Sequence, residues 1–180
     1  MRTFVAAEIN NEEVLNEIKK VQSELKINAK PVSLKNIHFT LLFLGDISEE
    51  MSKKVQNALD TIKFSPFEVI FSGIGAFPKP KFPRVIWIGT NESGGDQLKN
   101  LAKNVEEKLS SLGFRSDKPF KPHITIFRIK NRIGDISDKL ARINSSSLGI
   151  QKILEIKFKK SELTPNGPIY SDLQVVKAKQ

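Results

Sequence analysis

The 180-residue chain writes one order of elements twice, and this repetition limits its fold more than any single residue does. Residues 3–9 read as a short apolar strand. Asn10 or Asn11 then caps a helix to about Lys26, with Val14, Leu15, Ile18, Val21 and Leu25 at helical spacing. After Pro31, residues 37–44 read as a strand closed by Gly45 and Asp46. Ser48 opens a second helix with Met51, Val55, Leu59 and Ile62 inward. Residues 67–74 are a third strand, expected to end in a loop marked by Gly75, Pro78, Pro80 and Pro83.

The second half repeats the order. Residues 84–90 form a strand holding Trp87, residues 92–95 a turn, and Asp96 caps a helix carrying Leu98, Leu101, Val105, Leu109 and Leu112. Gly113 stops that helix, and a loop with Pro119 and Pro122 leads into a strand over 123–129. A shorter helix over 135–143 follows, then strands at 150–159 and 169–177 around a turn at 164–168. Glu12 to His38 spans 26 positions and Asp96 to His123 spans 27, so each half sets a histidine at the strand after its first long helix. These patterns predict an α+β fold with two pseudo-symmetric lobes, approximately 1–80 and 81–180 of a single 1–180 domain. Antiparallel sheets face a central cleft, with helices outside. Whether strands are exchanged between lobes is left open by sequence.

Composition narrows the function classes. Hydrophobic content of 39% with 27% charged residues is that of a globular protein, and no apolar run approaches the roughly 20 residues of a membrane span. Glu8 interrupts the N-terminal apolar stretch where an export signal would need to continue, so the cytoplasm is the expected compartment. The absence of cysteine excludes disulfides, thiolate metal sites and cysteine nucleophiles. A formal charge of +9 favours a polyanionic partner, although lysine enrichment also suits heat adaptation.

The two histidines share a pattern: His38-Phe39-Thr40-Leu41 and His123-Ile124-Thr125-Ile126. With six threonines in 180 residues, two unrelated histidines would both meet one at that offset roughly once in a thousand sequences. Side chains alternate along a strand, so each histidine and its threonine face one way while the apolar residues face the helices. The result is a groove with an imidazole and a hydroxyl on each wall. One imidazole can take a proton from an attacking water and the other give one to a leaving oxygen, while the hydroxyls donate to phosphate oxygens. Two ligands without a third make a poor zinc site, and no carboxylate cluster accompanies them. Neither metal nor cofactor is expected.

These residues resemble the 2H phosphoesterase superfamily, and within it the RNA 2',3'-cyclic phosphodiesterases, historically called 2'-5' RNA ligases. The resemblance extends from Arg2-Thr3-Phe4-Val5-Ala6 through 38–45, 83–87 and 119–128 to the tail at 161–170. It implies hydrolysis of RNA 2',3'-cyclic phosphate to a 2'-phosphomonoester without metal or nucleotide, with His38 as proton donor and His123 as proton acceptor. It also implies joining of tRNA halves through a 2'-5' linkage by the reverse chemistry. The expected partner is RNA ending in a cyclic phosphate, the expected state a monomer.

Arg128 fits the family's arginine after the second motif, yet strict alternation puts it on the face opposite His123. It reaches phosphate only if the strand bends or ends there, or if the side chain reaches round from the lip. Arg84 reads as a groove-edge phosphate contact or an ordinary exposed residue. Lys79, Lys81, Lys118 and Lys121 sit on loops preceding strands and read either as guides for an RNA backbone or, taken singly, as a solvated charge cluster. Trp87 reads as core, and Tyr170, just after Gly167-Pro168, as a base-stacking side chain at a turn. Gly94-Gly95 reads as a turn before a helix, not a phosphate loop. Two other functions fit the same residues: an RNA- or nucleotide-binding protein of this fold with little catalysis, and an enzyme acting on small cyclic nucleotides.

Overall fold

The computed structural model describes residues 1–179. Strand β1 (Arg2–Glu8) is followed by α1 (Glu12–Leu25), β2 (His38–Asp46), α2 (Glu49–Leu59) and the hairpin β3 (Phe67–Lys79) and β4 (Phe82–Thr90). Helix α3 (Glu92–Leu109), β5 (Ile124–Arg128), the short α4 (Ser137–Ala141), β6 (Ile150–Ile153), β7 (Glu155–Thr164) and β8 (Gly167–Lys177) complete the chain. The strands form two four-stranded antiparallel sheets, ordered β2-β1-β7-β8 and β5-β4-β3-β6. The expected α+β architecture is borne out.

Local signals placed the first helices well. Asn11 Oδ1 accepts from the Glu13 and Val14 amides, and Ser48 Oγ from that of Met51, so both N-caps satisfy donors the helix leaves free. Helix α1 buries Val14, Ile18, Val21 and Leu25, the stripe expected from their spacing.

Four expectations fail for identifiable reasons. Strand β3 does not end at Ile74. It runs through Gly75 and Pro78 to Lys79, because the indole of Trp87 lies across Gly75, where a Cβ would stand 2.3 Å from the ring. Residues 92–95 are the first turn of α3, not a turn before it, and Asn91 is the N-cap in place of Asp96. Gly94 and Gly95 are buried there, since a Cβ on Gly94 would lie 2.9 Å from Val69 Cα and one on Gly95 would lie 2.9 Å from Thr90 Oγ1. Their lack of side chains lets α3 begin against β3, and the matched helix-to-histidine intervals are looser than the sequence suggests. The expected helix over 135–143 shrinks to the single turn α4. Finally, the strand expected over 150–159 breaks at Leu154 into β6 and β7, which join different sheets.

The sheets do not follow the halves 1–80 and 81–180. A cut at residue 80 severs the β3–β4 hairpin inside the second sheet, while β7 and β8 return from the C-terminus to pair with β1. Strands are therefore exchanged between halves, and so are helix contacts. Gln22 Nε2 of α1 donates to the Ile126 carbonyl of β5 at 3.0 Å, and α3 packs on β2. Phe39 of β2 stacks on Phe71 of β3, centroids 5.6 Å apart, and joins the two sheets in one continuous core.

Candidate active site

His38 opens β2 and His123 directly precedes β5, so the two histidines stand at corresponding strand starts on edge strands of the two sheets. In each, ring Nδ1 lies against a backbone carbonyl two residues earlier: Asn36 O at 2.7 Å and Lys121 O at 2.6 Å. A carbonyl only accepts, so Nδ1 carries the proton and Nε2 of the neutral ring is left as the basic atom. His38 Nε2 lies 2.9 Å from Thr40 Oγ1, which donates to it. Among the described residues no protein partner reaches His123 Nε2. Thr40 and His123 line one groove of about 930 Å³ between β2, α3 and the loop that leads into β5.

The two motifs carry the same backbone irregularity. The β1–β2 register shifts between Val5 and Ala6, leaving Leu41 as an extra residue; the β4–β5 register shifts between Ile86 and Trp87, leaving Ile126 as one. A one-residue bulge reverses the alternation beyond it. Leu41 with Leu42, and Ile126 with Phe127, are accordingly buried as adjacent pairs. In the second motif this turns Arg128, partnered with Val85, to the face of Thr125, partnered with Trp87. Strict alternation thus fails at Arg128, and its guanidinium field reaches both His38 and His123. The pseudo-equivalent position in the first motif is Phe43, exposed at 52% with the Arg2 guanidinium 5.2 Å above its ring.

Burial sets the protonation of both rings. Desolvation lowers His38 to about 4; the hydrogen bond to Asn36 opposes this, Arg128 and Lys159 add to it, and Glu8 opposes it. His123 is lowered too, first by burial, then by Arg128 and Lys121 against the bond to Lys121 O. Both imidazoles are neutral at pH 7 in the unliganded protein.

Of the supporting residues, Tyr170 comes to the site, but from inside β8 and not from a turn. Its ring meets His38 edge-on, centroids 5.6 Å apart, and Phe4 at 5.0 Å, so it walls the histidine. Trp87 is not plain core: half-buried, it stacks on Phe77, whose ring meets His123 edge-on at 5.3 Å. Arg84 donates to the Lys130 carbonyl at 3.4 Å and lines a separate pocket with Phe82 and Arg132. Lys118 and Lys121 line the groove with His123, whereas Lys81 lies at that separate pocket and Lys79 against Phe82.

Sequence reasoning missed the charged layer beside His38. Lys159, only 6% exposed, is paired with Glu8 and with Asp172 at 2.9 Å, and Lys157 bridges Glu8 at 3.1 Å and Asp172 at 2.9 Å. The ladder pairs Lys159 with Phe4, which packs on His38 at 5.0 Å. The signal was the alternation Lys157-Phe158-Lys159, with the lysines two apart on one face and Phe158 buried on the other. Among the described residues, no three His, Cys, Asp or Glu side chains group as a metal site requires. Among them, too, no helix is long and apolar enough to cross a membrane.

Two four-stranded antiparallel sheets, each with a His-x-Thr sequence at the start of an edge strand, make up this fold, and Thr40 of one and His123 of the other line one groove. The chain matches the family model described as LigT like Phosphoesterase twice, over residues 9–87 and 88–170, and it belongs to that family. Among its relatives, a protein of Archaeoglobus fulgidus named RNA 2',3'-cyclic phosphodiesterase is 42% identical over 177 residues, covering 97% of this chain and 99% of the relative. One of the same name from Aquifex aeolicus is 39% identical, covering 93% and 90%. A crystal structure of a Thermus thermophilus protein superposes with a TM-score of 0.80 at 29% identity, covering 98% and 97%. Escherichia coli LigT complexed with 3'-AMP shares the fold, with a TM-score of 0.80 at 23% identity, covering 99% and 98%.

Proposed function

We propose that the protein hydrolyses RNA 2',3'-cyclic phosphate ends to 2'-phosphomonoesters by metal-independent acid–base catalysis between His38 and His123. One observation carries this reading: both rings donate Nδ1–H to a backbone carbonyl, which leaves each Nε2 as the atom that gains or loses a proton. The name shared by the relatives supports the substrate.

In the reaction, His123 Nε2 takes a proton from water as its oxygen bonds to phosphorus. The bond from phosphorus to O3' breaks, and His38, protonated on Nε2 once the phosphate is bound, gives its proton to O3'. The 2'-phosphate remains. Arg128 and the hydroxyls of Thr40 and Thr125 hold the non-bridging oxygens. Thr40 donates to His38 Nε2 in the free protein. When that nitrogen is protonated it no longer accepts, and the Thr40 hydroxyl is released to donate to phosphate. With a 5'-hydroxyl in place of water, the same steps join two RNA ends through a 2'-5' linkage. The protein acts on RNA as a monomer.

The test is incubation with an oligoribonucleotide ending in a 2',3'-cyclic phosphate, in excess EDTA, with 2'- and 3'-phosphate products resolved. Conversion to the 2'-phosphate is expected, and His38→Gln or His123→Gln should each lower the rate by about 10² to 10⁴. Loss of activity in EDTA, or formation of the 3'-phosphate, would reject the mechanism. Binding without turnover would leave a non-catalytic RNA-binding protein.

A further inference from the structure

The groove at Thr40 and His123 continues well beyond these two residues. It follows Leu41, Leu42 and Phe43 on one side and α3 with the loop after it on the other. Its volume of about 930 Å³ lies near the top of the roughly 300–1,000 Å³ range that small-molecule sites occupy. Five cations line it: Lys99 and Lys103 of α3, then Arg115, Lys118 and Lys121. Glu106, Glu107 and Asp117 are the acids along the same wall. Among the described residues, none of the five cations forms a salt bridge, in contrast to the fully paired Lys157 and Lys159. Lys99 and Lys103 stand one helical turn apart on one exposed face of α3. Lys121 connects this row to the chemistry, since its Nζ lies 5.4 Å from the ring of Phe77, which packs on His123.

We infer that this groove between β2 and α3 is the track of a single-stranded RNA backbone, holding the nucleotides on the 5' side of the reacting end. This rests on the function proposed above and adds to it a preference for polynucleotides over cyclic mononucleotides. Unpaired cations along a groove attract phosphates irrespective of sequence, and the exposed Phe43 adds an aromatic face on which a base stacks. The basic hairpin tip on the other flank is a weaker candidate. Its pocket of about 250 Å³ contains neither histidine nor motif threonine, and Lys79 and Arg132 lie there against Phe82.

The experiment compares Lys99→Glu/Lys103→Glu with Lys79→Glu/Lys81→Glu in the full chain. Hydrolysis of a cyclic mononucleotide and of a ten-nucleotide RNA with a cyclic end is measured over a salt series, alongside anisotropy with a 3'-phosphorylated oligomer. The α3 variant should raise KM for the oligomer by roughly tenfold or more and flatten its salt dependence, with mononucleotide hydrolysis within about twofold of the parent. The hairpin variant should change oligomer KM less than about threefold. Equal losses on both substrates, no loss in the α3 variant, or the larger loss in the hairpin variant would each overturn the track. If the parent hydrolyses neither substrate, the enzymatic reading falls, and anisotropy still decides which flank holds RNA.

Discussion

At the residue scale, the governing fact is that both histidines are neutral when the site is empty. In the proposed mechanism His38 must acquire its proton as phosphate enters, because the incoming negative charge offsets the fields of Arg128 and Lys159 on it. The basic limb of the kcat profile should therefore lie at least about one pH unit above that of kcat/KM. Coincident limbs would mean that bound substrate does not repolarise the ring. The same burial has a consequence for stability. An unfolded histidine titrates near 6.5 and His38 in the fold at about 4, so between these values the unfolded chain holds more protons. Stability consequently falls as pH drops from 6.5 toward 4, by about 3 kcal/mol from this residue. His38→Gln should lose less stability than the parent between pH 7 and 4.5 in denaturant titrations; parallel losses would show that the ring is not held neutral.

At the element scale, bulges and bare glycines do what the strand pattern alone could not. The extra residue at Ile126 is why Arg128 shares a face with Thr125, and two apolar neighbours in sequence gave no sign of it. Proline and glycine in β3 suggested a loop, but Gly75 is a crossing point for Trp87 and Pro78 pairs with Pro83 in the hairpin. Gly75→Ala should therefore displace Trp87 and, through it, shift Phe77 off His123. The expected result is a loss of about 1–3 kcal/mol in stability together with a fall in kcat. Unchanged kcat in a destabilised variant would separate the aromatic layer from the chemistry. The N-caps Asn11 and Ser48 were legible because a cap is a local hydrogen bond between near neighbours in sequence. Asn91 was not, because the two glycines after it looked like a turn until α3 was seen against β3.

At the scale of the whole molecule, the lobes share one core and exchange both strands and helix contacts. Phe39 on Phe71 and Gln22 on Ile126 cross from one sheet's elements to the other's. Calorimetry should show one cooperative unfolding transition, with calorimetric and van't Hoff enthalpies equal. Two resolved transitions would indicate lobes that fold separately.

The sequence by itself determined the two His-x-Thr pairs, most of the element order and the positive net charge. Each of these lives in short-range spacing or in totals: an imidazole and a hydroxyl two residues apart on one strand need no partner to be read. Tertiary structure alone decided which strands share a sheet, since the partners of β1 lie at both ends of the chain and pairing energy is blind to sequence distance. It also decided that Arg128 turns toward the histidines, that Lys159 is buried beside His38 between Glu8 and Asp172, and that α3 supplies a wall of the groove. Those facts depend on register, bulges and the approach of distant elements, which no local pattern encodes.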